Sequence, residues 1–168
     1  MTNRRRMQWS SAEDFTVKEA RLDEIETNLL KVARIFCTAY ADREHPHWEV
    51  AFEQACHLFG DTFGPAIGMS VMAVLSRMRT ARRTGFHFNN PNCKCCRHKV
   101  TDHERHLLRV IQCIRRDDRF SAQAAALLVC EGHNTEALLD AVANLTPLLP
   151  FVQEKGTRQM VHQQVGHS

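Results

Sequence analysis

The chain has 168 residues and a net charge of +3, with 43% hydrophobic and 24% charged residues. This length fits one domain with a sizeable apolar core, and the composition indicates neither a disordered protein nor a membrane protein. No run approaches the roughly eighteen consecutive apolar residues of a membrane helix, so no membrane partner is expected. The basic residues 1–10 are not followed by the apolar stretch of a secretory signal, which favours a cytoplasmic location.

The first predicted element is one long amphipathic helix from Ser11 to about Tyr40. Its apolar residues recur at intervals of three and four, and they are Leu22, Ile25, Leu29, Val32 and Phe36. A helix of about thirty residues would be roughly 45 Å long, more than the core of one small domain covers. Part of the stripe is therefore expected to pack on a second copy, which predicts a homodimer.

Two further helices are predicted after a loop at Pro46. The first occupies residues 48–60 and ends at Gly60. The second begins with small and apolar residues typical of a helix that is buried on most sides. It ends with a basic group in the last turns, where cations complement the helix dipole without any ligand, and this group comprises Arg77, Arg79, Arg82 and Arg83.

The remaining helices follow an irregular loop at residues 86–100. The segment "TDHE" at residues 101–104 predicts a capping box between Thr101 and Glu104 at the start of a helix. Ser121 is the predicted cap of the next helix, which should end at Gly132, and a final helix is interrupted at Pro147 or Pro150.

The predicted fold class is all-α, a bundle of about five to six helices with one irregular loop rich in cysteine and histidine. No convincing strand is found. The helical domain spans residues 11–152, between a flexible basic N-terminus at residues 1–10 and a frayed polar tail at residues 153–168.

The irregular loop is a candidate metal site because it holds three of the seven cysteines, at positions 93, 95 and 96. Cys93 and Cys96 have the two-residue spacing with which a tight turn presents two sulfurs to one zinc ion. The fourth ligand could be His98, His87 or His103. One zinc per chain is expected, ahead of an iron–sulfur cluster that would need a fourth cysteine.

Other interpretations of the cysteines remain open. One of the adjacent pair Cys95 and Cys96 could be spare, because neighbouring cysteines do not both reach one ion comfortably. The remaining four lie on apolar helix faces and are interpreted as small buried hydrophobic residues, namely Cys37, Cys56, Cys113 and Cys130.

The charge of the chain is distributed unevenly. Residues 11–73 carry five basic and eleven acidic side chains, whereas residues 74–110 carry nine basic and two acidic ones. Such a segment can bind nucleic acid or an acidic protein partner, or the oppositely charged faces can attract each other within the fold or a dimer. The candidate binding residues are Arg77, Arg79, Arg82, Arg83, Lys94, Arg97 and Lys99.

The function favoured by the sequence is that of a zinc-stabilised cytoplasmic binding or regulatory protein. The alternative is a thiol-based redox or metal sensor, since exposed cysteines beside Lys94, Arg97 and Lys99 would be reactive. A small thiol enzyme is a third interpretation. No oxyanion hole or substrate pocket accompanies its cysteine and histidine, so the chain is not expected to be an enzyme.

Overall fold

The computed structural model describes residues 15–42 and 48–150, which form five α-helices and one small antiparallel sheet. The elements are β1 (Phe15–Thr16), α1 (Glu24–Ala41), α2 (Trp48–Ala81), β2 (Lys99–Val100), α3 (Asp102–Arg115), α4 (Arg119–Val129), α5 (Glu136–Leu145) and a final 3₁₀ turn (Thr146–Leu148). The predicted all-α bundle with one irregular cysteine-rich loop is confirmed. The predicted flexible N-terminus and frayed tail lie outside the described residues.

Helix α1 begins at Glu24, so the prediction of one helix from Ser11 to Tyr40 is wrong for its N-terminal part. Asp23 and Glu26 form a capping box there, in which the Asp23 carboxylate accepts from the Glu26 amide at 2.7 Å. Upstream, Phe15 pairs with Val100 and Thr16 with Lys99 in the two-stranded sheet, which the sequence did not predict.

The stripe of α1 is covered by the chain's own core, and Leu29 and Phe36 are 2% and 0% exposed. Because α1 has 18 residues instead of about thirty, the helix-length argument for a homodimer no longer applies. The homodimer itself remains a prediction.

Gly60 breaks α2 as predicted, with φ +80° and ψ 158° in an otherwise helical stretch. The chain folds back at this point, so that the two halves of α2 pack on each other. A Cβ added to Gly64 would lie 2.4 Å from the Cys56 Cα, and one added to Gly68 would lie 2.8 Å from the Phe52 ring. In a straight helix, residues 52 and 68 would be roughly 24 Å apart. The small residues of this segment therefore permit close helix contact.

By length and composition alone, α2 could cross a membrane, because it contains an 18-residue window with a mean hydropathy of 1.4. One third of that window is buried inside the protein. A core helix of a soluble protein passes the same test, so one such helix is weak evidence for a membrane span. The expected absence of a membrane partner remains a prediction.

All five helices contribute to one apolar core. Its most deeply buried large side chains include Phe36, Ile67, Leu75, Met78, Val110 and Leu138. A smaller cluster of Leu30, Val100 and Leu108 joins β2 to α1 and α3. This second cluster places the end of the irregular loop against the helices.

The helix caps are partly as predicted. The capping box of α3 is confirmed, because the Thr101 amide donates to the Glu104 carboxylate at 2.9 Å and the Glu104 amide donates to the Thr101 hydroxyl at 3.2 Å. Helix α4 begins earlier than predicted. Its cap is Asp118, whose carboxylate accepts from the Ser121 amide at 3.0 Å, and Ser121 lies inside the helix.

Candidate metal centre

The three clustered cysteines lie on a tight backbone turn, called the cysteine turn below (residues 90–99). The Cys93 amide donates to the Asn90 carbonyl at 3.1 Å, the Arg97 amide to the Cys93 carbonyl at 3.0 Å and the Lys99 amide to the Cys96 carbonyl at 2.9 Å. The side chain of Asn90 accepts from the Asn92 amide at 2.8 Å. These local bonds bring residues close in sequence onto one side of the turn.

The turn brings the three thiols together. The Sγ atoms of Cys93 and Cys96 are 2.7 Å apart, those of Cys93 and Cys95 are 3.1 Å apart, and those of Cys95 and Cys96 are 3.6 Å apart. All three sulfurs lie within 4.8 Å of one another, so the group could hold a metal ion. Cys95 and Cys96, which are adjacent in sequence, therefore both belong to this group.

The donor set fits a thiophilic ion. Zinc binds thiolate at about 2.3 Å, which in a tetrahedral site places the sulfurs roughly 3.8 Å apart. The distances between the three sulfurs would therefore have to increase by up to about 1 Å to accommodate zinc. A short exposed turn accommodates a movement of that size more easily than a packed core does.

Hydrogen bonds within the turn favour one thiolate. The Cys96 amide donates to the Cys93 sulfur at 3.3 Å. Hydrogen bonds from the thiols of Cys96 and Cys95 and from their backbone amides lower the pKa of Cys93 to about 7, whereas bonding to Cys93 raises the pKa of Cys96 to about 12. Cys93 is therefore the first of the pair to present a thiolate to an ion.

None of the three predicted histidine ligands belongs to the group of converging donors in the described residues. The Arg97 Nε donates to the His98 Nε2 at 3.1 Å. The rings of His87 and His103 stack on each other with centroids 4.8 Å apart, and the His87 amide donates to the His103 Nδ1 at 2.9 Å. That a histidine completes the site therefore remains a prediction.

His103 occupies an environment that opposes a positive charge. Its ring also packs against Phe86, with a centroid separation of 5.7 Å, and its Nε2 lies 3.4 Å from the Arg82 guanidinium. Burial, followed by the charges of Arg82, His87 and His106, lowers the pKa of His103 to about 4. The side chain is a neutral packing residue at the start of α3.

A buried ion pair joins the loop to the helices. Arg34 of α1 is 4% exposed and Glu104 of α3 is 2% exposed, and the Arg34 Nε lies 2.7 Å from the Glu104 Oε1. Arg34 also donates to the carbonyls of Arg97 and Lys99, and Glu104 accepts from the Asn89 amide at 3.1 Å. This pair, called the Arg34–Glu104 clamp below, bonds to the C-terminal end of the cysteine turn and to Asn89, the residue just before its start, and so holds the turn at both ends.

Sequence reasoning missed the clamp, although a signal was present. Arg34 lies between Val32 and Phe36 in the most apolar part of α1, where a charged side chain has to find a partner if it is buried. Glu104 was recognised only as a capping residue. Its partner is 70 positions away, which no local pattern indicates.

Six of the seven predicted basic residues are exposed, and Arg82 is the exception. The Arg82 side chain is 2% exposed and forms an ion pair with Glu131 at 3.0 Å. It also donates to the Val129 carbonyl at the C-terminal end of α4, where a cation complements the helix dipole. Arg82 therefore joins the end of α2 to α4. The prediction that Arg82 belongs to a binding surface is wrong, because its side chain is buried.

The four cysteines outside the turn agree with their interpretation as small apolar residues. Cys37, Cys113 and Cys130 are buried and Cys56 is half-buried. Burial raises the pKa of Cys37 to about 12, so it remains a thiol.

No protein-family model matches the chain, and comparison with curated proteins and with solved structures finds no match either.

Proposed function

We propose that the chain is a zinc-binding regulatory protein of a reducing compartment, acting by binding rather than by catalysis. The observation that carries this proposal is the convergence of three thiols on the cysteine turn, within 4.8 Å of one another. Zinc is favoured among thiophilic ions because it binds thiolates strongly and needs no redox change.

The ion would order a surface segment and leave the fold in place. The Arg34–Glu104 clamp holds the ends of the turn, and the apolar core lies among the helices. Zinc would fix the residues between the two ends, including Lys94. Binding of the ion thereby arranges a group of exposed cations.

Zinc titration of the reduced full chain, with a chromophoric chelator as competitor, tests the proposal. We expect one zinc per chain, lost in Cys93→Ser and in Cys96→Ser. Cys56→Ser is the matched control, since Cys56 is also half-buried but lies in α2, and it should bind zinc normally. The absence of stoichiometric zinc from the wild-type protein would contradict the proposal.

The exposed cations support an acidic partner, either nucleic acid or protein. Lys94, Arg97 and Lys99 are all exposed, and they lie within three residues of a cysteine. If the partner is nucleic acid, affinity should fall steeply with salt, and Lys94→Gln with Arg97→Gln should reduce the slope of log K against log salt by about one to two units. No gel retardation of any nucleic acid at low salt would leave an acidic protein as the proposed partner.

A second candidate function, a redox or metal sensor, is favoured by the 2.7 Å separation of the Cys93 and Cys96 sulfurs and by the exposure of Cys95. Hydrogen peroxide would take two electrons from the Cys93 and Cys96 thiolates and two protons from solvent, so that one S–S bond forms, the peroxide becomes two water molecules and zinc is released. Mass spectrometry should show a loss of about 2 Da in the peptide that contains both residues. Retention of zinc under mild peroxide would favour the purely structural role of the ion.

A further inference from the structure

We propose that zinc in the cysteine turn keeps one coordination position open to solvent and binds a small anionic thiol there. This inference rests on the proposed function, because it presupposes the ion. It adds an exogenous ligand of defined chemistry, which the metal site by itself does not specify.

The three donors come from one short segment of the chain. Cys93, Cys95 and Cys96 all belong to one stretch of four residues, so their sulfurs approach an ion from one side. Zinc prefers four ligands in a tetrahedron. Throughout residues 15–42 and 48–150, no histidine or carboxylate joins the three sulfurs to supply the fourth.

The sulfurs of the cysteine turn are accessible to solvent. Cys95 is exposed, while Cys93 and Cys96 are half-buried, so the side of the turn that carries the sulfurs meets solvent. Zinc sites with three protein ligands and access to solvent hold water in the fourth position, and that water exchanges with other ligands. A solute can therefore reach the ion without any opening of the fold.

The charges around the cysteine turn favour an anionic ligand. Three thiolates around a divalent ion form a complex with a net negative charge, which would repel a further anion. Lys94 lies between Cys93 and Cys95, Arg97 and Lys99 follow Cys96, and all three cations are exposed. Residues 62–101 contain no aspartate or glutamate. These cations offset the charge of the complex and attract an anionic ligand in preference to a neutral one.

The exchange step balances with no redox change. The thiol gives its proton to solvent, its sulfur then binds the ion, and the bound water leaves. A sulfur ligand is favoured over an oxygen ligand because zinc carrying three thiolates is a soft centre.

Cobalt(II) replaces zinc as a spectroscopic probe in the reduced full chain, and mercaptosuccinate serves as the anionic thiol. We expect a saturable change of the visible absorption with one thiol per cobalt. The neutral thiol 2-mercaptoethanol should bind about threefold to tenfold more weakly, and succinate, which lacks sulfur, should cause no change.

The variant Lys94→Gln with Arg97→Gln should lose the preference for mercaptosuccinate while retaining affinity for 2-mercaptoethanol. The matched control Arg116→Gln with Arg119→Gln removes two exposed cations at the junction of α3 and α4, and it should retain the preference.

Two results would overturn the inference. In one, cobalt binds at one per chain but neither thiol changes its spectrum, which would mean that the chain itself fills the fourth position. In the other, the thiol removes cobalt from the protein. Failure of the chain to bind either cobalt or zinc would instead overturn the proposed function, so the two failures are distinguishable.

Discussion

The helical core and the cysteine turn are stabilised by different interactions. In the core, apolar side chains such as Phe36, Leu75 and Val110 are buried completely. The turn has little apolar contact of its own, and two buried charges, Arg34 and Glu104, hold its ends by donating to or accepting from its backbone.

This difference separates the fold from the site. Burial of apolar surface stabilises the bundle whether or not an ion is bound. The geometry of the thiols depends on the clamp and on local hydrogen bonds, so an ion adds order only where the clamp does not reach. Changes to the clamp should therefore affect both the bundle and the cysteine turn, whereas changes to Cys93, Cys95 or Cys96 should affect only the turn.

The largest expected effect is that of Glu104→Gln. Glutamine keeps the capping capacity of position 104 but leaves the Arg34 charge buried without a counter-ion, which should lower the free energy of unfolding by about 3–5 kcal/mol. Urea denaturation measures the change. Asp102→Asn is the control, since Asp102 pairs with Arg105 on the exposed side of α3 and should cost less than about 1 kcal/mol. Equal effects of the two variants would show that the clamp has no special role.

The next effect concerns the core at the fold-back of α2. Gly64→Ala should destabilise the protein by about 1–3 kcal/mol, because the new Cβ meets the backbone of Cys56 at 2.4 Å. Helix propensity alone predicts the opposite sign, a gain of up to about 1 kcal/mol. The control is Gly85→Ala, at which a Cβ meets nothing within 4 Å. A stabilising Gly64→Ala in thermal or urea unfolding would contradict the close packing of the two halves.

Acid should weaken the contact between α3 and the start of the loop. The folded-state pKa of His103 is about 4, below its ordinary 6.5, so the unfolded chain binds a proton that the folded chain does not. Stability is therefore complete above pH 6.5 and decreases as the pH falls from 6.5 towards 4. Urea midpoints at pH 7 and pH 5 should differ less in His103→Gln than in the wild type, while exposed His57→Gln should behave like the wild type. A pH dependence that is unchanged in His103→Gln would contradict the assignment.

The smallest expected effect separates two classes of cysteine. Without metal, Cys96→Ser should change stability by less than about 0.5 kcal/mol, because it alters an exposed turn. Cys130→Ser places a hydroxyl in a fully buried position and should cost about 1–3 kcal/mol. Thermal unfolding of both variants with a chelator present measures the contrast. A large loss in Cys96→Ser under these conditions would mean that the turn stabilises the fold without any ion.

The helices were predictable where the signal is local. The capping box at Thr101 and Glu104, the break at Gly60 and the periodic apolar residues of α1 all depend on neighbours within a few positions. The start of α1 also carried a local signal, the capping box of Asp23 and Glu26, which the sequence prediction missed. The pairing of Phe15 with Val100 was not predictable in this way, because the two residues lie far apart along the chain.

The candidate site was predictable in its ligands and not in its surroundings. The spacing of Cys93, Cys95 and Cys96 alone indicated a metal group, and the structure brings those three sulfurs together. The burial of Arg82 depends on Glu131, which lies in another part of the sequence. The sequence prediction therefore placed Arg82 on the surface together with the other basic residues.

Hydrogen exchange of the reduced full chain, with and without one equivalent of zinc, tests the central claim most directly. If zinc orders the cysteine turn on a bundle that folds without it, zinc should slow exchange in peptides covering residues 93–99 and leave the helix amides of α1 and α3 unchanged. Slower exchange throughout the helices, or no change in the turn, would contradict this account.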